Sequence, residues 1–322
     1  MRHAGEAPPF PRHFNGKRFF NPNGSAVRGW LDVLRWKLTS RPEPSPRFLA
    51  DVEPSRPPKA IEDRELRVTL INHSTVLLQQ SGLQILTDPI WSERASPLVS
   101  IGPRRRRSTG VQWEDLPRID LVLLSHNHYD HLDVATLRRL GERRESQFVV
   151  PLGVARLLRS RRIGPVHELD WGESLSLGEV RIHGVPAIHF SGRGIFDRNR
   201  TLWCGYMIEA GGRLVYFAGD TAFGEHFALI RERFGPPHLA LLPVGAYDPR
   251  WFMSPVHMAS EEAVRAHEIL AAGTSIAIHY GTFQLGDEAV DTPKKRLLRC
   301  APKDSFVVLA NGQSVTLRDR VP

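Results

Sequence analysis

Between Ser125 and Leu132 the chain reads Ser-His-Asn-His-Tyr-Asp-His-Leu, four potential metal donors within six residues, directly after the apolar run Ile119–Leu124. Imidazole and carboxylate groups crowded this closely repel when charged, or stay unpaired when neutral, unless a cation organises them. Because a strand precedes them, His126, His128, Asp130 and His131 emerge where that strand gives way to a loop. Donors that would complete a binuclear centre must then come from other strand ends. Three segments meet that condition: His189 after the run Arg181–Val185, Asp220 after Arg213–Phe217, and His279 after Thr274–Ile276. Any one alone reads as an ordinary polar histidine or turn aspartate. Occurring in this order, each at a strand terminus, they support one another.

The pattern around them is that of an α/β (α+β) chain. From Glu65 onward, short apolar runs are punctuated by Gly, Pro and Asp. Strands are expected at Arg67–Ile71, Thr75–Gln79, Gln84–Thr87, Leu121–Ser125, Phe148–Pro151, Val180–Val185, Leu214–Ala218, Leu239–Pro243, Ser275–Ile278 and Phe306–Ala310. Helical spacing is expected at Asp133–Leu140, Gly153–Arg159, Phe223–Phe234 and Ser260–Ala272. Many strands with interspersed helices and no internal repeat predict two sheets covered by helices. Residues 61–322 contain nothing like a linker and are expected to form one domain.

Residues 1–60 differ in kind. They hold eleven Lys and Arg against five Asp and Glu, so most of the net charge of +8 belongs to them, and they carry ten of the 25 prolines. A basic arm of this kind favours polyanions, either nucleic acid or an anionic membrane face, or is simply solvated. Val27, Trp30, Leu31, Leu34 and Leu38 recur at helical spacing, a stripe suited to a membrane surface or to packing on its own protein. Arg41–Pro58, with six prolines, reads as an extended linker.

Composition sets the outer bounds. Hydrophobic residues at 41% and charged residues at 24% exclude a wholly disordered chain. No apolar run approaches the roughly 18–20 residues that span a bilayer. Met1–Phe20 lacks the apolar stretch of a secretory signal, which leads us to expect a cytoplasmic protein. Two cysteines, Cys204 and Cys300, make neither a disulfide scaffold nor a cysteine zinc site, and both are expected to be small buried hydrophobes.

With the ligand series in place, the chain resembles the metallo-β-lactamase superfamily. Longer strings narrow the resemblance. Thr87-Asp88-Pro89-Ile90-Trp91-Ser92-Glu93-Arg94-Ala95-Ser96-Pro97, Gly102-Pro103-Arg104, Gly245–Met253, and Glu261–Val264 through Phe283 are similar to the N-acylphosphatidylethanolamine-hydrolysing phospholipase D family. The resemblance implies an αββα sandwich with a metal site along one edge. It implies two zinc ions, although the ligand types alone also admit iron or manganese. His126, His128 and His189 would hold the first ion, Asp130, His131 and His279 the second, and Asp220 would bridge them. A hydroxide between the ions would attack phosphorus, with Asp130 orienting it. Asp88 would lie beneath the metals, and His73, in Asn72-His73-Ser74-Thr75, matches a position close to the site. Thr221 is expected to cap the helix after Asp220.

Four further residues are candidates for touching substrate. Arg104 opens the run Arg104–Arg107, which would either be solvated or meet phosphate headgroups at the mouth of the site. Tyr247 and Trp251 would line an acyl groove or be packed inside. Tyr280 stands where animal members of the family have tryptophan.

The implied activity is zinc-dependent hydrolysis of N-acylphosphatidylethanolamine or a related glycerophospholipid. The protein would be peripheral on the inner membrane face and would form a homodimer by analogy with the family. One rival keeps the fold and changes the substrate to a soluble lactone, cyclic nucleotide or small ester. Another, a nuclease or nucleic-acid binder, rests on the positive charge alone, and no nucleic-acid-binding motif accompanies it.

Overall fold

The computed structural model describes residues 10–22, 27–49, 54–62, 65–98 and 100–318. Two seven-stranded sheets form its centre. The first runs, edge to edge, β14 (Ser314–Arg318), β1 (Glu65–Asn72), β2 (Thr75–Gln80), β3 (Leu83–Thr87), β4 (Leu121–Leu123), β5 (Gln147–Pro151) and β6 (Val166–Leu169). The second runs β13 (Phe306–Val307), β12 (Thr274–Ile278), β11 (Leu239–Pro243), β10 (Arg213–Phe217), β9 (Gly205–Ala210), β8 (Val180–Val185) and β7 (Ser174–Leu177). In each sheet one half is antiparallel. The other half, β3 to β6 and β10 to β13, is parallel. Parallel strands deliver their C-terminal ends to a common edge, where ligands gather in such sheets.

Side chains alternate across the pleat and so build two cores. Leu121 and Leu123 of β4 and Val149 of β5 point between the sheets, with Val68 and Leu70 of β1. Val122, Phe148 and Val150 point outward. There they meet Leu137 and Leu140 of α2 (Val134–Glu142) and Ala155 and Leu158 of α3 (Ala155–Ser160). The second sheet is covered by α4 (His226–Phe234), α6 (Ser260–Leu270) and α7 (Thr292–Cys300), through Phe227, Ile230, Ala263, Ala266, Leu270 and Leu297. The four layers are an αββα sandwich.

Several elements depart from expectation. β4 stops at Leu123; just beyond it, the backbone N–H of Ser125 donates to Asp88 Oδ1 rather than to a neighbouring strand. β13 ends at Val307, short of Ala310. α3 and α4 begin two and three residues late, at Ala155 and His226. β6, β7, β9, β14, α7 and the four-residue helix α5 (Arg250–Met253) are additional. Edge strands β7 and β14 are rich in Ser, Thr and Arg, and α7 buries only Pro293 and Leu297. Cys204 is buried as expected, whereas Cys300, on the last turn of α7, is exposed.

The described part of residues 1–60 lies against the sandwich. Phe10 and Phe19 are buried in the larger core, and His13 Nε2 sits 2.6 Å from Asp170 Oδ1. In α1 (Trp30–Thr39) the buried residue is Trp36, which stacks on Phe252 at 4.9 Å and donates its ring N–H to Asp287. The predicted stripe does not pack inward: Trp30, Leu31, Leu34 and Leu38 are all exposed. Beyond α1, the backbone N–H of Glu43 donates to Asp287 O, and its carboxylate accepts from Ala289 N–H and the Thr292 hydroxyl. Among the described residues, no helix is long and apolar enough to cross a membrane.

Candidate metal centre

The strand ends put the donors on one edge. β4 runs into His126, β8 toward His189, β10 into Asp220 and β12 into His279. Gly219, at φ +61°, turns Asp220 inward in a conformation that favours glycine, and a Cβ there would lie 2.5 Å from that of Ser125. Of the nine described non-glycine residues with positive φ, three are at this centre: His73 (φ 47°), Asp88 (φ 34°) and His279 (φ 60°). Backbone strain of this sort persists only where the surroundings over-determine it, and here all three residues hold or touch the donors.

All seven predicted ligands converge. His126 Nε2 is 2.8 Å from His128 Nδ1, which is 3.2 Å from His189 Nε2. Asp130 Oδ2 lies 3.2 Å from His131 Nε2 and 3.3 Å from His279 Nε2. Asp220 Oδ2 stands between the two groups, 3.2 Å from His131, 3.1 Å from His279, 3.7 Å from His189 and 3.9 Å from His126. A tetrahedral ion bound at about 2.0 Å separates its donors by about 3.3 Å, so the spacing fits.

The protonation chemistry agrees. Burial, followed by repulsion from neighbouring imidazoles, holds His126 far below its usual range, and it pulls His128 to about 3. These rings are neutral lone-pair donors. Asp130 and Asp220 stay ionised despite burial because His131 draws them far below the ordinary carboxylate range. Burial lowers His131 and His279, but the carboxylates outweigh it and raise both, His279 to about 9. Positive charge is therefore favoured where those two rings meet Asp220, and a cation would take the place of the protons. Asp220 Oδ1 and His279 Nδ1 are buried with no hydrogen-bond partner.

The two expected supporting residues are in place. Asp88 accepts from Ser125 N–H at 2.7 Å, from its hydroxyl at 2.6 Å and from His131 Nδ1 at 2.6 Å, which aims His131 Nε2 at the centre. His73 Nε2 lies 3.0 Å from Asp130 Oδ2. Thr221 is not a helix cap. Its hydroxyl oxygen accepts the Ile188 N–H, tying the Asp220 loop to the segment that carries His189.

The four candidate substrate residues lie elsewhere. Arg104 is exposed and pairs with Glu93 at 3.3 Å. Of its neighbours, Arg105 is buried and donates to Ile90 O and Ser92 O, and Arg107 binds Asp291 at 2.7 Å. Tyr247 is buried beneath the Arg296 guanidinium, and Tyr280 is buried with its hydroxyl on Leu309 O. Trp251 packs beneath Arg35 of α1. None of them lines the cavity of about 600 Å³ that opens over His128, Asp130 and Asp220.

That cavity is lined instead by α1, by α5 and by the loop 190–198. Its guanidiniums are Arg28, Arg193 and Arg198, and its apolar wall includes Val33, Trp36, Phe190, Ile195, Phe252 and Val256. Three residues that the strand-end pattern did not predict matter here. His257 is buried, lines the cavity and has Nδ1 4.0 Å from Asp220 Oδ2. Arg193 donates from Nη1 to Asn127 O and Leu132 O, both at 2.8 Å, spanning the loop that carries the first four donors. Asn21, from the arm, donates to His189 O at 2.9 Å and accepts from His189 N–H and Trp203 Nε1. His257 follows a turn rather than a strand, and Asn21 and Arg193 act through backbone contacts that leave no spacing signature.

Residues 84–280 match the family described as the Beta-lactamase superfamily domain. An N-acyl-phosphatidylethanolamine-hydrolyzing phospholipase D of Caenorhabditis elegans is 38% identical, over 79% of this chain and 77% of its own. An uncharacterized protein of Mycobacterium tuberculosis is 39% identical, over 86% and 75% respectively. In fold, the chain is similar to a metallo hydrolase of the archaeon Ignicoccus hospitalis, at a TM-score of 0.59 and 23% identity, covering 80% of this chain and all of that one. Sequence, fold and donor set agree: the chain belongs to the metallo-β-lactamase superfamily, within the family of N-acylphosphatidylethanolamine-hydrolysing phospholipase D enzymes.

Proposed function

We propose that this protein is a phosphodiesterase of the phospholipase D type. Its substrate would be N-acylphosphatidylethanolamine or a related glycerophospholipid, and it would work with two zinc ions as a peripheral protein on the inner membrane face. The observation that carries this reading is the mixed lining of the cavity. Three guanidiniums and a long apolar wall surround the metal donors, which suits an anionic phosphodiester attached to acyl chains.

Zinc bound here would supply Lewis acidity and a nucleophilic water at neutral pH. Asp130, held by His73 and His131, accepts a hydrogen bond from the attacking water and orients it. Arg193 and Arg198 offset phosphate charge. His257 faces the cavity and is kept neutral by burial, so it offers a ring N–H to a phosphoryl or departing oxygen. Hydrolysis would break the P–O bond to the head group, with the hydroxyl of water going to phosphorus and a proton to the departing oxygen, giving an N-acylethanolamine and a phosphatidate.

The membrane part of the proposal rests on the rim. α1 turns Trp30, Leu31, Leu34 and Leu38 outward, and Ile195 and Phe196 of the facing loop are 87% and 76% exposed. Both elements also contribute to the cavity lining, so exposed apolar side chains stand on the same elements that border the site.

The test is lipid mass spectrometry after zinc-loaded protein meets liposomes of N-acylated and plain phosphatidylethanolamine, with Asp220→Asn as control. Release of N-acylethanolamine by the wild type alone is expected. Silence on both lipids, with a soluble ester still cleaved, overturns the lipid assignment.

A further inference from the structure

A groove of about 780 Å³ shares a loop with the metal cavity. β4, β5 and β6 are parallel neighbours, so β5 and β6 end on the edge where β4 delivers its donors. Gly153, just after β5, and Glu168, near the end of β6, both line the groove. The backbone N–H of Leu202 donates to Leu152 O, which fastens the loop to the end of β5. Ser191–Ile195 and Arg198 line the metal cavity, whereas Asp197, Arg200 and Thr201 line the groove. One loop thus borders both.

The groove is cationic. Lys17 and Arg18 come from the arm, Arg156 and Arg159 from α3, and Arg200 from the loop, and all five are exposed. The two carboxylates of the lining are engaged by backbone. Glu168 accepts the Ala155 N–H at 2.9 Å, and Asp197 accepts the N–H groups of Arg193 and Gly194. Arg18 and Arg159 donate to the carbonyl oxygens of Arg198 and Val166. The side chains of Lys17, Arg156 and Arg200 have no ion-pair or hydrogen-bond partner among the described residues. The arm is held in place here: Asn15 Oδ1 accepts from the N–H groups of Lys17 and Arg18, and Phe19 N–H donates to Asn199 O. Five cations against two carboxylates leave an excess that an anion offsets.

The loop decides which kind of anion fits. Its tip, Ile195 and Phe196, is 87% and 76% exposed, so apolar surface stands beside cationic surface. An anionic bilayer presents the matching pair, phosphates above hydrocarbon. A nucleic acid would leave the tip unmatched, and among the described residues no aromatic side chain lines the groove for bases to stack on. We propose that the groove receives the headgroup phosphates of anionic phospholipids while Ile195 and Phe196 enter the bilayer, turning the mouth of the metal cavity toward the membrane. This deepens, and rests on, the reading of the protein as a peripheral membrane enzyme.

The test is co-sedimentation of metal-loaded protein with vesicles of phosphatidylcholine, alone or mixed with phosphatidylglycerol. Partition into the anionic vesicles is expected to exceed that into the neutral ones by about 100-fold, at about fivefold per cation in excess. Arg156→Gln with Arg200→Gln should lower it about 25-fold and flatten its dependence on salt. The control removes the same charge elsewhere. α7 returns from the end of β12 to the start of the parallel strand β13, so Arg299 and Lys303 are exposed at the edge away from the metals. Arg299→Gln with Lys303→Gln should leave partition within about twofold of the wild type. Phe196→Ser should weaken attachment to both vesicles about fivefold.

Equal partition into neutral and anionic vesicles overturns the proposal. So does equal loss in the two double variants, which would make net charge alone the cause. Release of the protein by glycerol phosphate, at the phosphate concentration of the vesicles, would give the groove to a soluble phosphate; release by single-stranded DNA would give it to nucleic acid. Either result also overturns the proposal. Equal partition that Phe196→Ser weakens strikes the groove and leaves the membrane reading standing, whereas no attachment to either vesicle strikes both. Neither vesicle contains an N-acylated lipid, so the outcome is separate from that of the cleavage assay.

Discussion

The two sides of the active-site cavity are built on opposite plans. On one side, the donors stand at the ends of strands in two fully packed sheets, and Asp88, His73, Asn21 and Arg193 fix them or their loops. On the other side, a ten-residue helix and a loop present apolar side chains to solvent, and a four-residue helix packs against the longer one. A rigid wall holds groups that would repel one another if left free, whereas the outer side only has to admit a substrate. Chemistry and selectivity are thereby assigned to parts of the molecule with different local stability.

Mutations on the two sides should therefore separate by type. Asp220→Asn, at the centre of the rigid side, is expected to lower turnover of any substrate by about 10²–10³-fold. Metal content measured by mass spectrometry should fall with it, and an unchanged content would mean that the carboxylate does not bridge. Asp88→Asn leaves every donor present but frees His131, so metal affinity in a chelator competition should drop about 10–100-fold. On the outer side, Leu31→Glu with Leu34→Glu should cut activity on liposomes about tenfold. Hydrolysis of a soluble phosphodiester should be untouched, and equal loss on both substrates would erase the distinction drawn here.

The smallest expected effect on turnover lies further out, at Glu288. This carboxylate accepts from the N–H groups of Tyr247 and Asp248, at the turn that leads into α5. Burial raises its pKa to about 7. The folded state therefore keeps a proton that the unfolded chain releases near pH 4.5, and stability declines as pH rises from about 4.5 to about 7. Glu288→Gln should flatten that decline in melting temperature. A slope identical to that of the wild type would assign it to other groups.

The same division explains what could be read from the sequence. His126, His128, Asp130, His131, His189, Asp220 and His279 were legible because each follows an apolar run, and burial on both faces makes such runs conspicuous. His257 has no strand before it. Asn21 contributes through backbone contacts 168 residues away in the chain, and no local pattern encodes that. Arg104 opens a dense charge run that reads either as solvated or as facing phosphate; it is exposed beside Glu93, and its neighbours are spent on structure, Arg105 on carbonyls and Arg107 on Asp291. Tyr247 was a candidate because an aromatic residue suits both a groove and a core, and Tyr280 because it adjoins His279; both are buried. β7, β14 and α7 were missed because they bury too little to leave a hydrophobic rhythm.

The left-handed backbone at His73, Asp88 and His279 has a consequence for the life of the protein in a cell. Each such residue costs of order 1–3 kcal/mol, a substantial share of the 5–15 kcal/mol that typically separates folded from unfolded chains. A bound cation restores that deficit by mass action. Metal scarcity should therefore reduce the number of molecules as well as idle them, since the chain without bound metal would open more often to proteases. Immunoblots of cells grown with and without chelator, at constant transcript, would show the protein itself declining, so that its abundance reports on metal supply.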